Sequence, residues 1–137
     1  MTTSLEHRFL ELCHTAYVLD LPGESWRASE PPMVALLMLI RQHPEERALF
    51  IRLFAEVDAG LHPAPYHLLA FCMHELRYPE IKEKILSNMR AREDTAWYRR
   101  RMNYVSMIMH AYDDSWESAT MWAYYAQPNP DASHPPS

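Results

Sequence analysis

Apolar residues recur every three to four positions along this chain, in blocks that stop at prolines, glycines or paired acids. Leu5, Phe9, Leu12, Cys13, Ala16 and Tyr17 fall on one stripe at helical spacing. The stripe predicts a first helix that opens with a Thr3/Glu6 capping box and ends at Leu21-Pro22-Gly23. Pro31-Pro32 opens a second helix. Its residues 33–40 are apolar nearly all round, which predicts a position between neighbours. His43-Pro44 stops it, because proline lacks a backbone donor and biases the preceding residue away from helical angles. A third helix starts at Pro44, turns Leu49, Phe50, Leu53, Phe54 and Val57 inward, and stops at Gly60. Beyond the stiff connector at residues 61–65, Leu68, Leu69, Phe71, Cys72, Met73 and Leu76 mark a fourth helix, broken at Tyr78-Pro79. Ile81, Ile85, Leu86 and Met89 mark a fifth. Asp94 or Thr95 caps a sixth over residues 96–112. Asp114-Ser115-Trp116-Glu117 reads as a second capping box, opening a seventh helix that carries Met121, Trp122, Tyr124 and Tyr125. The polar loop at residues 24–30 holds one large side chain, Trp26, which either plugs a groove or meets a partner.

The breaks at Pro44, Pro79 and Asp113-Asp114 lie about 35 residues apart. At that offset Pro44-Glu45 falls on Pro79-Glu80, Ala35 on Ala70 and Met38 on Met73. The expected fold is all-α with about seven helices: one domain over residues 1–127, made of a leader helix and three helix pairs. The pairs form either a short α-solenoid, each unit hiding its apolar face against the next, or an irregular bundle. Residues 128–137 hold four prolines and no large apolar side chain, and read as a disordered tail.

Composition supports this. Two glycines against eleven prolines, with 48% hydrophobic and 23% charged residues, suit a soluble helical protein of one domain. The longest apolar run is far short of the ~20 residues of a membrane span, and no secretory signal opens the chain. The expected location is the cytoplasm. A formal charge of −5 argues against a dedicated nucleic-acid binder and suits a basic protein partner. Cys13 and Cys72 sit in apolar patterns, as buried free thiols do.

Catalytic chemistry finds little footing. His74-Glu75-x-x-Tyr78 has a tyrosine where a zinc protease needs its second histidine. Glu11 and His14 make one Glu-x-x-His pair where a di-iron bundle needs two. Cys13, His14, Cys72 and His74 lack the paired spacing of a structural zinc site. Gly23 and Gly60 are isolated, so no phosphate-cradling loop exists, and no Gly-x-Ser-x-Gly elbow occurs. No catalytic residue, metal or cofactor is therefore expected. Arg99, Arg100 and Arg101, with Arg90, Arg92, Trp97 and Tyr98 nearby, form a basic run with interleaved aromatics. Successive residues fan out by about 100° on a helix, and Glu93 and Asp94 offset the charge, so a solvated face is expected there. The aromatic-rich third that includes Trp116, Trp122, Tyr124 and Tyr125 is either a cap on the last repeat or a docking face for a partner or second copy.

The proline-marked pairs resemble short HEAT-type units over residues 31–127. The string FCMHELRYPEI at residues 71–81 is similar to stretches in small bacterial toxin-immunity proteins. The resemblance implies a non-enzymatic, cytoplasmic protein-binding module that neutralises a toxin domain. Equivalent breaks of a solenoid stack on one edge, so Glu75, Tyr78 and Glu80 are expected beside Asp113, Asp114, Trp116 and Glu117. Such an acidic edge with aromatic anchors would complement a basic nuclease toxin. The alternatives are a metal- or ligand-binding protein using His67, His74, His110, Met107 and Met109, or a helical nucleic-acid-binding regulator.

Overall fold

The computed structural model describes residues 4–20, 26–93 and 95–126, apart from the side chains of Trp26, Glu117 and Thr120. The fold is all-α: α1 (Leu5–Asp20), α2 (Glu30–Arg41), α3 (Arg47–Asp58), α4 (Leu68–Leu76), α5 (Pro79–Ala91), α6 (Ala96–Ala111) and α7 (Ala123–Ala126). Single 3-10 segments occur at Trp26–Ser29, Pro44–Glu46 and Glu117–Met121, and no strand occurs among the described residues. No described helix is long and apolar enough to cross a membrane. The expected Thr3 cap, the stop at Leu21-Pro22-Gly23, the Asp94 cap, the Trp26 side chain and the tail at 128–137 lie outside the described residues.

Local chemistry accounts for most boundaries. Ser4 Oγ accepts the His7 amide at 3.0 Å at the head of α1. Thr95 Oγ1 does the same for Tyr98 at 3.1 Å at the head of α6. Gly60, at φ +82°, ends α3. Its amide bonds the Val57 carbonyl while Leu61 bonds that of Glu56, both at 3.0 Å, the two bonds of a Schellman motif. α4 ends less comfortably, on Arg77 at φ 51°, a left-handed conformation costing a side-chain-bearing residue roughly 1–2 kcal/mol. Arg77 Nε donates to the His74 carbonyl at 3.0 Å, which helps hold that turn, and Tyr78 runs extended into Pro79. Pro79 begins α5 directly, whereas Pro44 begins a 3-10 turn that precedes α3.

The first helices of successive pairs, α2, α4 and α6, lie side by side, and so do the second helices α3 and α5. α1 covers the open side of α2. Phe9 of α1 reaches α3, edge-on to Phe54 at 5.0 Å and near-parallel to Phe50 at 6.1 Å. These rings are fully buried, as are Leu36, Leu37 and Met33 of α2.

The third unit departs from the expected helix pair. After α6 the chain runs through a turn into the 3-10 segment and the four-residue α7 instead of one continuous helix. The physical reason is the spacing of two indoles. Trp116 and Trp122 are both buried, six residues apart, which is about 240° around an α-helix but the same side of a three-residue turn. The chain takes the tighter winding: Trp116, Ala119 and Trp122 donate in turn to the carbonyls of Asp113, Trp116 and Ala119 at 3.1–3.2 Å. Trp122 then packs edge-on against Phe71 of α4 at 5.2 Å.

This segment is fastened to α2 by a buried carboxylate. Glu30, 8% exposed, accepts the amides of Ala123 and Tyr124 at 3.2 and 2.7 Å, the first two donors of α7. Arg41 pairs with Glu75 at 2.6 Å, and the Tyr124 hydroxyl donates to the same carboxylate at 2.8 Å. Replacing Glu30 by Ala leaves both amides without their acceptor. We expect a loss of about 2 kcal/mol and a Tm lowered by roughly 5–10 °C. Hydrogen exchange should accelerate first at Ala123 and Tyr124; unchanged protection there would show that the carboxylate does not hold the segment.

Candidate functional site

The stacking of helix pairs sets the three breaks along one edge of the molecule, and cations link them. Arg47, just past the first break, clasps Glu80 at the second through two parallel bonds of 2.5 and 2.7 Å. The same guanidinium lies 4.8 Å from the Tyr78 ring centroid. The second break is tied to the third by the Tyr112 hydroxyl, which donates to the Tyr78 carbonyl at 2.8 Å. Arg77 pairs with Asp114 at 2.6 Å, and Lys82 Nζ sits 5.4 Å over the Tyr112 ring. Tyr78 is thus tied to Tyr112 before the third break and Asp114 to Arg77 before the second, while Glu80 is held by Arg47.

The edge is acidic and partly paired. Glu80 pairs with Arg47, Asp114 with Arg77, and Glu45 lies 3.4 Å from the His43 ring. Arg47 beside it holds the Glu80 carboxyl below its usual range. Asp113 is exposed and engaged only locally, its Oδ1 accepting from the Ser115 amide and hydroxyl at 3.3 and 3.2 Å. Asp114 is open to solvent, its side chain 91% exposed even while paired.

Beyond the third break the edge borders a cleft of about 540 Å³. One wall is a face of α6, with Asn103, Ser106, Met107 and His110 at positions i, i+3, i+4 and i+7. The other is Asp113, Ser115, Trp116 and Ser118. The lining offers amide, hydroxyl, imidazole and carboxylate groups, with one thioether and an indole edge, which suits a polar peptide segment or loop better than an apolar ligand.

The remaining sequence-predicted residues are placed differently. Glu75 belongs to the closure with Arg41 and Tyr124 rather than to the acid ladder. Tyr78 and Trp116 are nearly buried, at 8% and 7% exposed, so their rings support the edge from beneath. The side chain of Glu117 lies outside the described part. Trp116, Trp122 and Tyr125 pack on His74, His67 and Phe71, forming an aromatic cap over α4. Asn103, Ser106, Ser115 and Ser118 were not singled out from the sequence. The polar spacing 103/106/110 was available as a signal, but nothing in it announces a cleft.

The thiols and histidines are placed for structure. Burial pushes the Cys13 thiol up to about 12, and burial together with Cys13 and Glu75 raises Cys72 well above its ordinary value. Both stay protonated at neutral pH, whereas a metal takes the thiolate. His74 Nδ1 donates to the Ala111 carbonyl at 2.7 Å, and burial lowers the His67 pKa, opposed in part by Asp20. Among the described residues no group of three or more His, Cys, Asp or Glu side chains is placed to hold a metal ion. No protein-family model matches the chain, and neither a curated protein nor a solved structure matches it.

The Arg47–Glu80 clasp has a pH signature. A carboxylate whose folded pKa is depressed adds stability above its unfolded pKa of about 4.3 and loses it as pH falls through the lower folded value. Urea midpoints measured from pH 6 downward, a range chosen to span that value, should therefore fall below about 4.3. They should fall less steeply in Glu80→Gln, and superimposable profiles would show that the clasp adds nothing to stability.

Proposed function

We propose that the chain is a non-enzymatic protein-binding module, in its specific form a bacterial, cytoplasmic immunity protein that captures and neutralises a toxin domain with a basic face. The observation that supports this reading most directly is the third break, where Asp113 lines the 540 Å³ cleft and the neighbouring Asp114 side chain is 91% exposed. Tyr78 is tied to Tyr112 beside that break, and Glu80 is oriented by the Arg47 clasp. The formal charge of −5 adds long-range attraction for a cationic partner. In this reading the acids steer and orient the toxin, and a loop of the toxin enters between α6 and the 3-10 segment. A rigid scaffold suits this task, because binding then costs little ordering of the module.

The test is protection. Cells expressing the toxin domain encoded beside this chain's gene should survive only when the chain is co-expressed. Asp113→Lys with Asp114→Lys should slow association with the purified toxin domain by about tenfold or more, with a smaller effect at high salt. Circular dichroism should show an intact helical fold in the variant. Equal survival with and without the chain would refute the reading. Unchanged association of the folded variant would remove the acidic rim from it.

A further inference from the structure

A second concave site lies between the ends of α3, α5 and α6, and its charge is opposite to that of the molecule as a whole. The pocket, about 370 Å³, is lined by Asp58, Ala59 and Gly60 from the end of α3, Lys84, Asn88 and Arg92 from α5 and its C-cap, and Trp97 and Arg101 from α6. Lys84, Asn88 and Arg92 follow at intervals of four, and Trp97 and Arg101 are also four apart, so each helix turns one face to the pocket. Three cations meet one carboxylate there. That carboxylate, Asp58, is buried and already held by Arg101 Nη2 at 2.6 Å.

The cations are therefore short of anionic partners. Lys84 and Arg92 form no ion pair among the described residues. Arg92 and Arg101 lie 4.5 and 5.1 Å from the same Trp97 ring, so the indole gathers two guanidinium groups at one place. Arg101 Nε is buried with no acceptor, a donor left over after the Asp58 pair is made. Two guanidinium groups held at an indole, with the Lys84 ammonium and the Asn88 amide lining the same pocket, are the donors that bind phosphate oxygens. The basic run at Arg99 and Arg100 contributes nothing here; the pocket uses Arg101, Arg92 and the distant Lys84.

We propose that this pocket binds the phosphate group of a small phosphorylated molecule, with Lys84 and Arg92 as the charges that capture it and Arg101 as the fixed donor behind them. The volume suits a phosphate with a modest organic group attached. Lys84 also lines a groove with Glu80 and Glu83, but the proposal does not depend on the toxin-binding reading.

Calorimetric titration of the full chain with inorganic pyrophosphate at low ionic strength tests it. We expect saturable binding in the millimolar range or tighter, weakened by added salt. Lys84→Gln with Arg92→Gln should reduce affinity by at least about tenfold with an unchanged Tm. Arg90→Gln, at a residue paired with Glu83 and outside the pocket, should bind as the parent does. Absence of saturable binding would overturn the proposal, as would equal loss in Arg90→Gln. A parallel titration with single-stranded oligothymidylate separates the sources of phosphate. Tighter binding of the oligonucleotide than of pyrophosphate, lost in the same double variant, would assign the pocket to a nucleic-acid backbone and overturn the small-molecule claim.

Discussion

The buried carboxylate of Glu30 is the contact on which the closed form of this molecule depends. A stack of helix pairs has no natural end: its last unit leaves an apolar face open unless something covers it. Here the cover is the segment after α6, and its two leading amides would be orphaned donors in a largely apolar setting without Glu30. The Arg41–Glu75–Tyr124 group reinforces the same junction from α2 and α4. The side of α2 and α4 that would otherwise be bare is thus covered by aromatic rings, with polar bonds fixing their register.

That closure divides the edge groups into two kinds. Glu75 serves the junction, while Glu80 and Asp114 serve the ladder of cations across the breaks. Exposed ion pairs add little stability individually. Their contribution here is positional, because a bidentate guanidinium sets the direction of the Glu80 carboxylate and Arg77 does the same for Asp114. Arg77 takes up a left-handed backbone at the same place, so the strained residue and the exposed acid belong to one arrangement. Strain kept at an edge, and not in the core, is consistent with a surface shaped for contact.

Much of the helical order was legible in the sequence because it rests on local chemistry. Apolar spacing marks six long helices, proline places two breaks, and Thr95 and Gly60 mark ends through bonds made within a few residues. Of the contacts expected between the second and third breaks, the structure shows Tyr112 bonded to Tyr78 and Arg77 paired with Asp114. What the sequence hid depends on contacts between distant residues. Nothing near Glu30 announces that it accepts amides more than ninety positions away. The capping-box pattern at Asp114–Glu117 suggests an α-helix, yet burial of Trp116 and Trp122 on one side selects a 3-10 winding. The cationic pocket was hidden for the same reason, since Lys84 and Arg101 come together only when α5 and α6 pack.

The separation between Glu30 and its two amides also orders the events of folding. In a chain made from its N-terminus, every residue of α1 to α5, the partners of the Phe9–Phe54 contact and the Arg47–Glu80 clasp included, is joined before Ala123. Contacts this distant in sequence carry the largest loop-closure cost, so they form after the local pairs have already condensed. Until then Glu30 is a solvated acid at the head of α2, and the surface destined for Trp122 is open. A nascent chain of this protein therefore carries an exposed apolar seam until Ala123 and Tyr124 reach Glu30.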